Sequence, residues 1–482
     1  MDDIVLISYF ISLSILFVFG LHGFVMLYYH YKYRDVNPKQ KKELDNPLVT
    51  IQLPLYNELY VVERLINATC EIDYPKDKME IQVLDDSTDE TVDIVANIVA
   101  KKKAEGFDIS HIRRGSRKGF KAGALKEGLK TAKGEYIAIF DADFIPHKDF
   151  LKKTLSFFSD SKVGMVQTRW EHINGDYSIL TKAQALALDG HFVIEQTVRN
   201  KAGFFINFNG TGGVWKKACI EDAGNWHDDT LTEDLDLSYR AQLNGWRFVF
   251  LKDFTSPAEL PSEINALKAQ QFRWTKGAVE TAKKILPQVW KSKIPLRVKL
   301  QSTFHLTNNL VFPFILLAAI LNVPLIFIKN SGSHEAYFAI MSLFVLAFIS
   351  SFLFYLYSQK DIRTDWRKKI VLFPLFMAGS MGFAVNNSRA VIEGLLSRKS
   401  EFVRTPKFKV VGNNDSWVGK KYASRKIGLS VYVELIMAIY CLVGIASSVY
   451  FLEIAALPFQ ILFFLGFSFV SLTSIKHAYS KA

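Results

Sequence analysis

The sequence predicts a doubly wound α/β domain carried on a helical membrane domain, and three observations predict it. From residue 48 to about 295, apolar runs of strand length alternate with amphipathic stretches, as in a sheet covered by helices on both faces. Outside that block lie uncharged apolar runs long enough to cross a hydrocarbon layer of about 30 Å. Inside it, pairs of aspartates fall where strands end.

Leu48–Leu53, Ile81–Leu84 and Tyr136–Phe140 read as buried parallel strands, being largely apolar runs of strand length. Helix-like segments separate them, and one opens with Ser87 three residues before Glu90, the spacing of a capping box. Ligands of such a domain are expected at the C-terminal strand ends.

The membrane part begins at Ile4–Tyr29, which is nearly continuously apolar with His22 as its one ionisable residue. The start, Met1-Asp2-Asp3, lacks a basic n-region, and the flank Tyr29-His30-Tyr31-Lys32 lacks a small-residue cleavage site, so a retained span is expected rather than a signal peptide. Lys32, Arg34, Lys39, Lys41 and Lys42 follow in a basic linker over 31–47, which places that side in the cytoplasm. Further long apolar runs occupy 306–328, 337–357, 429–450 and 452–475, and a shorter one, 370–385, leads into Asn386-Asn387-Ser388-Arg389. Counting 370–385 as a sixth span would put Arg398 through Lys426, with nine Lys and Arg, outside. Reading 370–396 as interfacial or re-entrant gives about five spans and leaves only Lys329 outside, which the positive-inside rule favours. Lys360–Lys369 and the C-terminal Lys476 and Lys481 then also face the cytoplasm. The expected organisation is a span over 1–30, the linker, a cytoplasmic domain over 48–295 with interfacial helices, and a membrane region over 296–482 with a cytoplasmic loop at 397–428. The net charge of +12 is thereby explained by topology, without a nucleic-acid partner. Cys70, Cys219 and Cys441 are too scattered for a disulfide framework or a zinc site.

Leu84-Asp85-Asp86-Ser87 closes one strand and Phe140-Asp141-Ala142-Asp143 another. An Asp-x-Asp spacing in extended chain lets one carboxylate bind a hard cation, Mg²⁺ or Mn²⁺, while its neighbour takes a ribose hydroxyl or a water. Neither GxxxxGK[ST] nor a strand-linked GxGxxG is present, which argues against a P-loop and a dinucleotide redox cofactor. Thr232-Glu233-Asp234 and Gln270-Gln271-Phe272-Arg273-Trp274 follow.

This ordered set resembles that of the processive family 2 glycosyltransferases, the group holding cellulose, mannan, chitin and hyaluronan synthases. Pro54-Leu55-Tyr56-Asn57-Glu58, Leu84-Asp85-Asp86-Ser87-Thr88, Lys121-Ala122-Gly123-Ala124-Leu125 and Phe208-Asn209-Gly210-Thr211 most resemble plant cellulose-synthase-like mannan and glucan synthases and their bacterial relatives. The resemblance covers roughly 48–280 and implies a GT-A-like fold binding a UDP- or GDP-hexose. It implies that Pro54, Tyr56 and Glu58, with Asp85 or Asp86, hold the uracil or guanine base, and that Lys121 meets the phosphates. Asp141 and Asp143 would take ribose, diphosphate and metal, with Asp143 the better metal ligand. Asp234 would be the general base, and Glu233, Gln270, Arg273 and Trp274 would line the acceptor and leaving-group side. The chemistry agrees: positive charge from Arg273, Lys121 and a metal would stabilise a departing diphosphate, and one carboxylate suffices for in-line attack with inversion.

Taken alone, the Gln270–Trp274 segment would read as an amphipathic helix resting on the membrane. Asn209–Gly213 reads as a Gly-rich turn, near the acceptor terminus by the same resemblance. Phe402-Val403-Arg404-Thr405-Pro406-Lys407 resembles the family's gating loop FxVTxK but departs from it by an inserted proline and separated Val and Thr. His227-Asp228-Asp229 reads as a solvated polar loop rather than a metal site. The expected enzyme is an inverting hexosyltransferase extending a β-linked polysaccharide and coupled to its export, in a bacterial plasma membrane or a Golgi membrane. A glycolipid-forming transferase is the alternative. A channel or transporter is disfavoured because the spans are nearly free of charge, Glu434 excepted.

Overall fold

The computed structural model describes residues 2–36, 44–332, 334–400, 402–412, 415–424 and 427–480. Lys39, Lys41, Lys42, Lys426 and Lys481 of the basic flanks lie outside them. Among the described residues, seven strands form one sheet: β1 (Val49–Leu55), β2 (Met79–Asp85), β3 (Asp108–Ile112), β4 (Tyr136–Ile139), β5 (Val163–His172), β6 (Gly213–Lys216) and β7 (Arg247–Ala258). Their order is β3-β2-β1-β4-β6-β5-β7. The three strands expected from the sequence are β1, β2 and β4, and β1 pairs in parallel with both others. Short β6 lies antiparallel between β4 and β5, so the sheet is mixed.

Both faces of the sheet are covered. Tyr136 and Ala138 pack with Val49, Ile51 and Leu65 in one core, while Ile137 and Ile139 pack with Leu125, Leu129 and Trp215 in the other. Strand β4 is apolar on both faces, whereas β1 and β2 alternate, with Thr50, Gln52, Glu80 and Gln82 buried on the second face. Their few polar side chains pair internally: Gln52 donates to Gln82 at 3.0 Å and Thr50 to Glu80 at 2.5 Å. Trp215 is fully buried against Phe208, Trp226 and Phe248. Truncating such a residue costs about 3–5 kcal/mol, so Trp215 anchors β6 and the glycine turn before it.

The helices that shape the site are α1 (Asp2–Lys32), α2 (Thr91–Ala104), α3 (Phe120–Thr131), α4 (Glu233–Leu243) and α5 (Ile264–Lys291). The capping box expected at Ser87 is not formed. Ser87 Oγ instead accepts from Asn57 N at 2.8 Å, and α2 starts at Thr91, whose N–H donates to Asp89 Oδ1 at 3.1 Å. Helix α5 is capped by the Glu263 carboxylate, which accepts from Asn265 N and Ala266 N, both at 2.8 Å.

Among the described residues, five helical segments are long and apolar enough to cross a membrane: α1, Leu296–Asn330, Glu335–Ile362, Leu429–Tyr450 and Ile454–Tyr479. The segment at issue in the span count is two helices, Trp366–Gly382 and Ala384–Leu395, bent by 46°. The first packs so closely on the last span that a Cβ on Gly382 would stand 2.3 Å from Gly466 O, a small-residue contact typical of membrane helices. Glu434 pairs with Lys268 of α5 at 2.7 Å, both side chains buried. That pair ties the helix carrying Gln270, Arg273 and Trp274 to the Leu429–Tyr450 span.

Candidate active site

One cleft runs along the C-terminal ends of β1, β4 and β7 to the start of α4 and one face of α5. Its walls hold Pro54, Tyr56, Glu58, Asp86, Lys121, Asp141, Asp143, Glu233, Asp234, Gln270, Arg273 and Trp274. Spacings of three and four place the last three on one helix face. Of the residues singled out in the sequence, only Asp85 is not brought to the cleft. Successive side chains of a strand point to opposite sides, and the buried Asp85 carboxylate binds His111 Nε2 at 2.8 Å and accepts from Ser87 N at 2.8 Å. Burial acts to raise its pKa, but these bonds outweigh burial and hold the group below its ordinary value.

At the end formed by β1 and β2, Arg117 stacks its guanidinium 3.4 Å from the centroid of the Tyr56 ring. Asp86 accepts two bonds from Arg114, one from Nε at 2.9 Å. Glu58 is enclosed 3.2 Å from Arg404. Its carboxyl is pushed up to about 8 by burial, against the pull of Arg404. Arg404 belongs to the segment that resembles a gating loop, whereas Arg114 and Arg117 were not singled out from the sequence, although the basic run Arg113–Lys118 between β3 and α3 was a visible signal.

In the middle, Lys121 of α3 lies 2.5 Å from Asp141 Oδ1 and donates to Gly210 O at 3.0 Å. Burial acts to neutralise Lys121, but Asp141 and Glu233 outweigh it and raise its pKa. Asp143 lies 2.8 Å from Lys407 Nζ, which also donates to Glu259 O at 2.6 Å. The loop that resembles a gating loop thus lies on the site. Phe402 stacks on Phe120 and lies 4.5 Å from the Arg273 guanidinium, while Thr405 and Lys407 line the cleft. Asp141 and Asp143 each hold an ammonium, so these hard oxygen donors already accommodate positive charge. Their chemistry fits Mg²⁺ or Mn²⁺.

At the far end, Glu233 and Asp234 occupy the first turn of α4. Burial, then the neighbouring Glu233, push Asp234 up to about 7, and burial raises Glu233 as well. Trp170 and His172 at the end of β5 extend this wall beyond what the sequence reading named.

The polar group at His227 is a separate structure. His227, Asp229 and Asp236 lie close enough together to share a cation, but Lys284 Nζ already sits among them, 3.0, 2.8 and 3.0 Å from their respective atoms. A metal there would have to displace that ammonium.

Residues 47–277 match the glycosyltransferase-like family 2 model. The chain is 44% identical over 271 residues to probable glucomannan 4-beta-mannosyltransferase 11 of Oryza sativa subsp. japonica, covering 55% of this chain and 47% of that one. It is 40% identical over 269 residues to glucomannan 4-beta-mannosyltransferase 2 of Arabidopsis thaliana, covering 55% and 50%. The chain therefore spans about half the length of the curated relatives it matches. Among solved structures, the mannosyltransferase of Pyrobaculum calidifontis in complex with GDP-Man and Mn²⁺ superposes with a TM-score of 0.55 at 20% identity, covering 80% of this chain and all of that one. That likeness is one of fold.

Proposed function

We propose that the chain is an inverting, metal-dependent membrane glycosyltransferase that adds mannosyl or related hexosyl units from a GDP- or UDP-sugar to a growing β-1,4-linked glycan. The observation that carries this reading is a single cleft joining an Asp-x-Asp pair, a lysine, a high-pKa carboxylate and an arginine–tryptophan helix face. The names of the relatives support mannose and the β-1,4 linkage, and the mannosyltransferase of like fold was solved with GDP-Man and Mn²⁺.

In this scheme Tyr56, backed by Arg117, stacks on the base, while Glu58 and Asp86 bond its edge or the ribose. Asp143 and Asp141 would hold the divalent ion, which when bound supplies Lewis-acid stabilisation of the diphosphate. Lys121 and Arg273 add fixed positive charge on the leaving-group side. Trp274 offers a flat apolar face to a pyranose ring, and Asp234 takes the proton of the attacking hydroxyl. One displacement inverts the anomeric centre, so an α-linked donor yields a β-linked product. The positive-inside rule places the catalytic domain in the cytoplasm, beside spans through which the polymer would be exported.

The test is to incubate membranes containing the protein with labelled GDP-mannose, GDP-glucose, UDP-glucose and UDP-GlcNAc, then determine product size and linkage. A β-linked polymer is expected. An α-linked product overturns inversion, and label confined to organic-extractable lipid overturns the polysaccharide acceptor.

A further inference from the structure

At its basic end, α1 frames a cavity to which the transferase scheme gives no work. Helix α1 packs tightly along the apolar segment Glu335–Ile362: a Cβ on Gly20 would stand 2.5 Å from Ala347 Cβ, and one on Gly23 2.6 Å from Ser350 Oγ. Where the two helices end, Tyr29, Tyr33 and Arg34 on one side and Asp361 on the other line a cavity, together with Lys201 of the Thr197–Lys201 helix and Lys252 of β7. Lys252 Nζ lies 2.7 Å from Asp361 Oδ2, and Lys201 Nζ donates to Arg34 O at 2.9 Å. The two ammonium groups repel: burial, then Lys252, hold Lys201 below its ordinary pKa. Asp35 and Asp253, the neighbouring acids of Arg34 and Lys252, are each 87% exposed and do not line the cavity. Arg34, Lys201 and Lys252 therefore face Asp361 as the one lining carboxylate.

An excess of fixed cations around a small cavity suits a phosphate group. The depth of the cavity decides where that phosphate comes from. Tyr28, Tyr29, Tyr31 and Tyr33 crowd the end of α1, and Tyr28 and Tyr31 are exposed. Tyrosines gather where a helix leaves the hydrocarbon for the headgroup layer. Two walls of the cavity are the ends of apolar segments long enough to cross a membrane, so an occupant reaches it from the lipid. Lys32 stands 5.6 Å from the Tyr33 ring centroid, and the sequence continues into Lys39, Lys41 and Lys42. A polybasic flank of this kind draws anionic lipids.

We propose that this cavity binds the phosphate of an anionic phospholipid of the cytoplasmic leaflet, held by Lys201, Lys252 and Arg34. The inference goes beyond the transferase reading and rests only on the membrane placement stated with it, in which α1 and Glu335–Ile362 cross the bilayer with their basic ends in the cytoplasm. The headgroup would share Lys252 with Asp361, so Asp361 is a competitor built into the site. A lipid bound there would tie α1, the Glu335–Ile362 segment and β7 together. Strand β7 is an edge of the sheet. The Lys252 carbonyl accepts from Arg169 Nε at 2.7 Å, and Arg169 precedes Trp170 in the cleft wall. The bound headgroup would thereby brace the sheet edge beside the cleft.

The experiment uses the full-length protein in neutral detergent and counts bound lipid by native mass spectrometry as phosphatidylglycerol or phosphatidylcholine is titrated in. Phosphatidylglycerol should bind the more tightly. Lys201→Gln and Lys252→Gln should each weaken it about fivefold, the worth of one basic residue beside an anionic lipid. Asp361→Asn should strengthen it by a similar factor, a gain that misfolding does not produce. Lys360 stands over the Tyr357 ring, 6.0 Å from its centroid, and does not line the cavity, so Lys360→Gln should leave binding unchanged. Equal affinity for the two lipids, an equal loss in Lys360→Gln, or no gain in Asp361→Asn would overturn the proposal. Displacement of phosphatidylglycerol by excess inorganic phosphate would assign the cavity to a soluble phosphate and overturn the lipid. Uptake of neither lipid would refute the membrane placement and this inference with it. None of these readouts uses sugar transfer, so their failure leaves the transferase chemistry standing.

Discussion

Replacing Lys407 by methionine should make the protein bind Mn²⁺ more tightly in the absence of nucleotide. Lys407 Nζ lies 2.8 Å from Asp143 Oδ2, and the two side chains are only 10% and 8% exposed. A metal ion seeking Asp143 must first break that contact, so the ammonium is a built-in competitor. A hydrogen bond to a charged group is worth about 1.5–3 kcal/mol net. Removing a competitor worth about 2 kcal/mol should tighten binding roughly 30-fold, at about 1.4 kcal/mol per factor of ten. Methionine retains much of the chain length and packing of Lys407 while deleting the charge. Titration of Mn²⁺ into the purified protein at pH 8, read from the free-ion paramagnetic resonance signal, measures the effect directly, and Asp143→Asn on the same background should cancel it. Unchanged or weaker Mn²⁺ binding in Lys407→Met would show that Asp143 is not the metal ligand, or that the loop lysine does not compete for it.

Chelation by excess EDTA should abolish transfer, and Asp143→Asn should lower it by orders of magnitude with the fold intact by thermal melt; full activity in EDTA would remove the metal assignment. Lys121→Ala should weaken GDP or UDP binding in calorimetry, because it deletes a cation from the phosphate side of the cleft. Asp234→Asn should keep nucleotide affinity within a few-fold while transfer falls by about 10²–10⁴, the usual worth of a general base. In the wild type, transfer should fall as pH drops below about 7, since Asp234 accepts a proton only as the carboxylate. A cysteine at Ser416 should label only from the cytoplasmic side, and labelling from outside would restore a six-span topology.

Much of this architecture was legible because its signals are local. The short, largely apolar runs of β1, β2 and β4 announce strands, and the Gln270, Arg273 and Trp274 spacing announces one face of a helix. Strand β6 was not legible: Gly213–Lys216 is only four residues long, and its antiparallel seat depends on Trp215 finding a core assembled from distant segments. The Ser87 spacing suggested a cap, yet a hydroxyl can satisfy any nearby backbone N–H, and Asn57 on a neighbouring loop supplied one. Which of Asp85 and Asp86 would face the cleft turns on the pleat at the end of β2, a parity that two adjacent identical residues cannot reveal. Lys407 and Asp143 are 264 positions apart, so their contact exists only once the sheet and the membrane helices have assembled.

The distribution of ion pairs explains why Asp234, among so many carboxylates, is suited to accept a proton. Four cleft acids have a cation within bonding reach: Asp86 with Arg114, Glu58 with Arg404, Asp141 with Lys121 and Asp143 with Lys407. Among the described residues, Glu233 and Asp234 have no such ion-pair partner. Lys121 influences both but bonds to Asp141 and Gly210. Two enclosed carboxyls without a direct counter-ion resist carrying two negative charges, which is what lifts Asp234 toward neutrality. Lower basicity would make a carboxylate a poor acceptor for a sugar hydroxyl proton, and a tight ion pair would enforce that lower basicity. The same cations that prepare Asp141 and Asp143 for a diphosphate and its metal would disable a base. On the proposed roles, seating Asp234 against the bare Cα of Gly210, without a lysine of its own, would separate the two tasks within one cleft.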